Sequence, residues 1–209
     1  MESKDPHTQY PTGMRVFRIT DDGTGKKAEE IVEFQDLLQY SGSSIRITGN
    51  QGIRMITSME KSKKDARTGA GLAGYTLVEY GTALCWSSDL EGGRSLILGQ
   101  DYTRSNYAYR KGVADPVFAY SGSLVQYTNV LVGFTNDQCR DDIAMRSYII
   151  LEDAEGDQVT LYGGTVHRSI GYIAYQNRAA FAPGSAAYEY VWDIIHHVYG
   201  DMYDEDYEG

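Results

Sequence analysis

A chain of 209 residues can bury one substantial core, and 42% apolar with 23% charged residues is an ordinary globular balance. The net charge of −10 supplies no basic surface for nucleic acid and none for an anionic membrane. No stretch approaches the roughly 20 apolar residues of a membrane span, and Met1 to Tyr10 lacks a signal peptide's apolar run, so the chain reads as cytosolic or as a piece of a longer secreted protein.

Residues 1–13 read as a disordered leader and 14–40 as a hairpin with its connection. Met14 to Thr20 and Glu30 to Gln35 are its expected strands, around the turn-rich Asp21-Asp22-Gly23-Thr24-Gly25. A β-rich core with C-terminal helices is expected over 41–200. In Ser44 to Thr48, Ile45 and Ile47 share one face, and Gly49-Asn50-Gln51-Gly52 connects to a strand at Ile53 to Thr57.

Lys61 to Gly74 is polar and glycine-rich, the composition of a loop. Its Gly69, Gly71 and Gly74 spell G-x-G-x-x-G, but a charged loop precedes them and a strand follows. A dinucleotide site needs them between a strand and a helix, so that the helix N-terminus faces the pyrophosphate. Tyr75 to Trp86 is aromatic and β-branched on both faces, as a central strand should be. Ser87 to Asp115 reads as loop and Phe118 to Thr128 as one strand. Ile143, Met145, Ile149 and Leu151 alternate onto one face, and Asp153 to Asp157 turns the chain into Gln158 to Tyr162, a hairpin.

The period then changes. Ile170, Ile173, Ala174, Asn177 and Phe181 form a helical stripe, which Pro183-Gly184 ends. Ser185 is placed to cap a second helix with Tyr188, Val191, Trp192, Ile195 and Tyr199 on one face, and Gly200 to stop it. Strands first and helices last predict an α+β fold: an antiparallel sheet or sandwich with an N-terminal hairpin and two C-terminal helices packed on it. Residues 201–209 form an acidic tail without the ligand spacing of a calcium loop.

Catalytic signatures are missing: there is no G-x-S-x-G elbow, no H-E-x-x-H and no Cys/His nucleophile context. His196 and His197, with Asp193 a turn back, read as helix-surface histidines near the negative end of the dipole. Cys85 and Cys139 fit no metal spacing, though they allow one disulfide. No metal or cofactor is expected.

Eighteen tyrosines against five Phe and two Trp put hydroxyls on most of the aromatic surface. They crowd with arginine in Tyr102, Arg104, Tyr107, Tyr109 and Arg110, the composition of recognition loops, and Trp86 lies near. These six residues are the expected ligand contacts. Arg46, Arg54 and Arg146 fall within strands, Arg168 at the expected start of the first helix, and Glu79 in the central strand. They are read as a structural Arg/Glu network, with an anion pocket as the alternative.

Six pieces occur in order: Ser41-Gly-Ser-Ser-Ile-Arg-Ile, Gly52-Ile-Arg-Met, Glu79-Tyr-Gly-Thr-Ala-Leu, Tyr120-Ser-Gly-Ser-Leu-Val, Ala144-Met-Arg-Ser-Tyr-Ile and His167-Arg-Ser-Ile-Gly-Tyr-Ile-Ala. Over Ser41 to Asn177 they resemble a largely uncharacterised domain of long, multi-domain secreted and surface proteins of Firmicutes, including gut clostridia. Met55, Ser147 and Cys85-Trp86 depart from that pattern. The resemblance implies an extracellular module on a Gram-positive cell surface, beside glycan-active, adhesive or anchoring domains, with no catalytic residues. Arg46, Arg54, Arg146 and Arg168 fall on its motif arginines, which implies a framework role. The expected function is therefore non-catalytic binding of a glycan or a host protein such as an immunoglobulin. The alternatives are a structural spacer and a glycan-active enzyme.

Overall fold

The computed structural model describes residues 17–21, 23–30, 37–60, 75–110 and 119–200. The leader 1–13, the loop Lys61–Gly74 with its three glycines, and the acidic tail lie outside them. β1 (Phe17–Asp21) and β2 (Lys26–Glu30) pair as a two-stranded sheet, Phe17 opposite Glu30 and Asp21 opposite Lys26. β2 starts directly after the turn and not at the expected Glu30; 31–36 are not described.

Two four-stranded antiparallel sheets make the body. β3 (Gln39–Arg46), β4 (Gly52–Glu60), β7 (Ala119–Ser121) and β8 (Leu124–Val132) form the first, in the order β3-β4-β8-β7. β5 (Thr76–Trp86), β6 (Arg104–Arg110), β9 (Asp142–Glu152) and β10 (Gln158–Ser169) form the second, in the order β10-β9-β5-β6. Each sheet is two sequence-adjacent strand pairs joined along their inner strands, β4 to β8 and β5 to β9.

Several expectations are corrected here. Arg104–Arg110 is an edge strand, not loop. Its Arg-Ser-Asn-Tyr-Ala-Tyr-Arg sequence lacks apolar alternation, but an edge strand is held by backbone pairing to one neighbour and tolerates polar side chains. Phe118 to Thr128 is not one strand: Gly122-Ser123 turns β7 into β8, with Gly122 at φ +59°. Ile47 lies beyond the end of β3 and is 36% exposed, while Ile45 is buried. The core also takes in Leu37 and Leu38, both buried, which fall in the expected connection.

The inner face of β9 is the one its alternation predicts. Ile143, Met145, Ile149 and Leu151 are buried and join residues of the first sheet, Ile45, Ile53, Met55, Met59 and Tyr127, in the core. A polar seam crosses that interface. Thr57 Oγ1 and Ser147 Oγ share a hydrogen bond of 2.6 Å, Thr82 donates to Asn129, and the Tyr127 hydroxyl donates to the carbonyls of Gly81 and Tyr148. Each buried polar group of the seam thus has a partner, which offsets its desolvation. The opposite face of the second sheet is also covered. Segment 87–103 straps across it, and Leu96, 1% exposed, packs there against Ala83, Cys85, Ala144 and Tyr148. A sheet buried on both faces explains why β5 carries aromatic and aliphatic residues on both of its faces.

α1 (Ile170–Asn177) opens on Ser169, whose side chain accepts from Tyr172 N at 3.0 Å. Arg168 therefore belongs to β10 and not to the helix. The helix passes into a 3-10 turn, Arg178–Ala180, so Phe181 lies outside the stripe yet packs on the same core. α2 (Ala186–Tyr199) is capped by Ser185, accepting from Tyr188 N at 3.2 Å, and ends at Gly200 with φ +66°. Val191, Trp192 and Ile195 are buried, with Ile170 and Ile173 of α1, in the cluster that takes in both sheets. The chain is an α+β fold with two C-terminal helices packed on a β-sandwich. No helix of the described residues is long and apolar enough to cross a membrane.

Candidate binding cleft

β5 ends on Leu84-Cys85-Trp86 and passes at once into a 3-10 turn, Ser87–Leu90. The Asp89 carboxylate holds that corner by accepting from Trp86 N at 3.2 Å. The strap then crosses the sheet and returns at β6, where Arg104 stands opposite Leu84. Tyr102, Arg104 and Trp86 consequently meet at one end of the sandwich. From the first sheet, the end of β8 and the turn after it bring Leu131, Val132 and Phe134 to the same place.

Together these residues line a cleft of about 470 Å³. Its walls are apolar: Trp86 and Phe134 are half-buried, and Val132 is 42% exposed. Its polar groups are few, chiefly Asp89, Arg104 and Gln138. Apolar walls with a few convergent polar groups are the common make-up of ligand clefts in this size range. Tyr102 is fixed in the rim, its hydroxyl donating to Ser95 O at 3.0 Å and the Arg94 guanidinium lying 5.6 Å from its ring centre. Arg104 is exposed; one Nη donates to Asp101 O at 3.2 Å.

Three of the six expected contacts, Trp86, Tyr102 and Arg104, thus share one cleft. Tyr107 pairs with Gly81, Tyr109 with Tyr80 and Arg110 with Glu79, further along β6. The side chains of those three lie outside the described part of the structure. Sequence reading misses Leu131, Val132, Phe134 and Asp89. Leu131 and Val132 arrive through pairing of β8 with β4 and Phe134 from the turn that follows, and no local signal joins them to Trp86.

Cys85 also lines the cleft. Burial, and secondly the Asp89 carboxylate, push its thiol up to about 11; burial and then Asp193 do the same for Cys139, also to about 11. Both are free and buried, so the optional disulfide is not formed. His197 Nε2 lies 3.4 Å from Asp137 Oδ1 at the surface. No group of three or more metal-binding side chains gathers among the described residues.

The five framework residues are divided between the sheets, Arg46 and Arg54 on the first and Arg146, Arg168 and Glu79 on the second. Arg46 Nε donates to Thr48 O, and Arg168 donates to His167 O and lies over the Tyr172 ring. Glu79 accepts from the Tyr148 hydroxyl at 2.5 Å. Arg146 donates to two carbonyls and covers the Tyr162 ring. Backbone carbonyls and tyrosines are among the partners of Arg46, Arg146, Arg168 and Glu79.

No protein-family model, curated protein or solved structure matches the chain. Its function is read from its own residues.

Proposed function

We propose that this chain is a non-catalytic, extracellular binding module of a bacterial surface protein that recognises a glycan through the cleft at Trp86, Tyr102 and Arg104. The observation that supports it is the convergence of two partly open aromatic rings, Trp86 and Phe134, with an exposed guanidinium in one concavity of about 470 Å³. Aromatic faces take up the apolar C–H faces of sugar rings, while Arg104, Asp89 and Gln138 offer donors and acceptors to hydroxyls. A host protein would need roughly 800 Å² of matching surface on this side alone. The concavity favours a compact ligand. The proposed surface location rests on the resemblance of the six sequence pieces.

The test is an array of plant and mucin glycans printed beside host secretory proteins, probed with the folded chain. A saturable glycan hit is expected. Arg104→Ala and Val132→Asp change exposed residues at the cleft. Arg104→Ala should weaken the hit at least about fivefold, the effect of removing one ordinary hydrogen bond, and Val132→Asp should weaken it by setting a charge in the apolar wall, each with the melting temperature unchanged. Binding indifferent to both substitutions would remove the cleft from the account. A blank array with folded protein would favour a spacer, and a protein hit would favour the host-protein reading.

A further inference from the structure

Across the strap from the Trp86 cleft lies a second cleft of about 540 Å³, on the covered face of the second sheet. Arg94 and Ser87 reach it from the strap, Arg146 from β9 and His167 from β10. Ser87 Oγ and His167 Nδ1 share a hydrogen bond of 2.8 Å, which ties the strap to the edge strand. Arg146 is the anchor of the site: Nε donates to Gly163 O at 2.8 Å, Nη1 to Leu96 O at 3.1 Å, and the guanidinium lies 4.6 Å from the Tyr162 ring centre.

The charge of this cleft is not balanced. Arg146 is partly removed from water, and burial lowers its pKa, opposed only by Tyr162. Its partners among the described residues are two neutral carbonyls and a ring face, with no carboxylate. Arg94 has a carbonyl, Asp89 O at 3.5 Å, and the Tyr102 ring. Among the described residues the one carboxylate in the lining is Glu91, which is exposed. A partly desolvated guanidinium without a counter-ion is costly, and a fork of N–H donors matches two oxygens of one anionic group. We propose that this cleft binds an oxyanion, a carboxylate or sulfate group, between Arg94 and Arg146 with His167 and Ser87 at its side. The proposal goes beyond the glycan reading and does not depend on it, because the probes are free anions.

The net charge of −10 helps the test. The protein's overall field repels anions, so saturable uptake reports the local site and not general attraction. The ¹⁵N-labelled full chain is titrated with sodium sulfate and, separately, sodium acetate, each against sodium chloride at matched ionic strength. Saturable shifts are expected at the Gly163 and Gly164 amides and at Arg146 Nε, with chloride giving none. Saturation by sulfate alone assigns a tetrahedral group, and by acetate alone a carboxylate. Arg94→Ala, at an exposed position, should weaken binding about fivefold while leaving the amide spectrum elsewhere intact. Arg146→Lys, which keeps the charge and removes the fork, should weaken it further. Shifts that grow linearly and equal those of chloride overturn the proposal, as does an affinity unchanged in Arg94→Ala.

Discussion

Gly171 lies where α1 packs against Val198 of α2. A Cβ built there would sit 2.8 Å from both methyl carbons of Val198, inside the distance real side chains keep. Gly171→Ala should therefore destabilise the fold by about 1–3 kcal/mol through overpacking, seen as a lower urea midpoint. Adding Val198→Ala should recover part of that loss, because the clash is with those methyls. An unshifted midpoint in the single variant would show that the helices slide apart freely. This residue also marks what the sequence conceals. Ser185 and Gly200 are legible because a cap is made within four residues of itself. Gly171 is not, because the reason for it is a valine on another helix.

The strap is held by Leu96, which is 1% exposed against the outer face of the second sheet. Leu96→Ala should cost about 2–5 kcal/mol, the range for a buried leucine whose cavity cannot collapse, measured by chemical denaturation. Both clefts should lose ligand with it, since the strap walls each. A midpoint within experimental error of the parent would mean that the strap is not seated as described. From sequence, Ser87 to Asp115 reads as loop. That is correct for the strap's lack of regular repeat and wrong for Arg104–Arg110, where pairing with β5 stands in for apolar alternation. The same distinction governs the cleft. Trp86, Tyr102 and Arg104 are legible by composition, while Val132 enters through strand pairing from far along the chain and Phe134 on the turn after that strand.

At the scale of the whole molecule, the fold favours the neutral forms of its buried thiols and phenols. Burial raises Cys85 and Cys139 to about 11 and Tyr127 higher still. Tyr148 is raised by burial and then by its hydrogen bond to the Glu79 carboxylate. Each folded pKa lies above its unfolded value, so this stability is complete below about pH 8.5 and is lost as pH rises toward the folded values. The urea midpoint should fall between about pH 8.5 and pH 11, and a flat profile would contradict the burial of these groups. At pH 8 both thiols should resist a thiol reagent in the folded chain and react on unfolding, because the thiolate fraction is cut about 100-fold by two pKa units. The way the two sheets interlock has its own outcome. Glu60 pairs with Leu124, and Trp86 with Ile143, so each sheet closes across more than 50 residues, and the two closures cross in the sequence. Neither sheet can be completed by the first half of the chain or by the second. Folding must wait for both halves to be present, which makes it slow for its size. A break in the backbone between β6 and β7 leaves two fragments that each lack a finished sheet and that supply each other's missing strands.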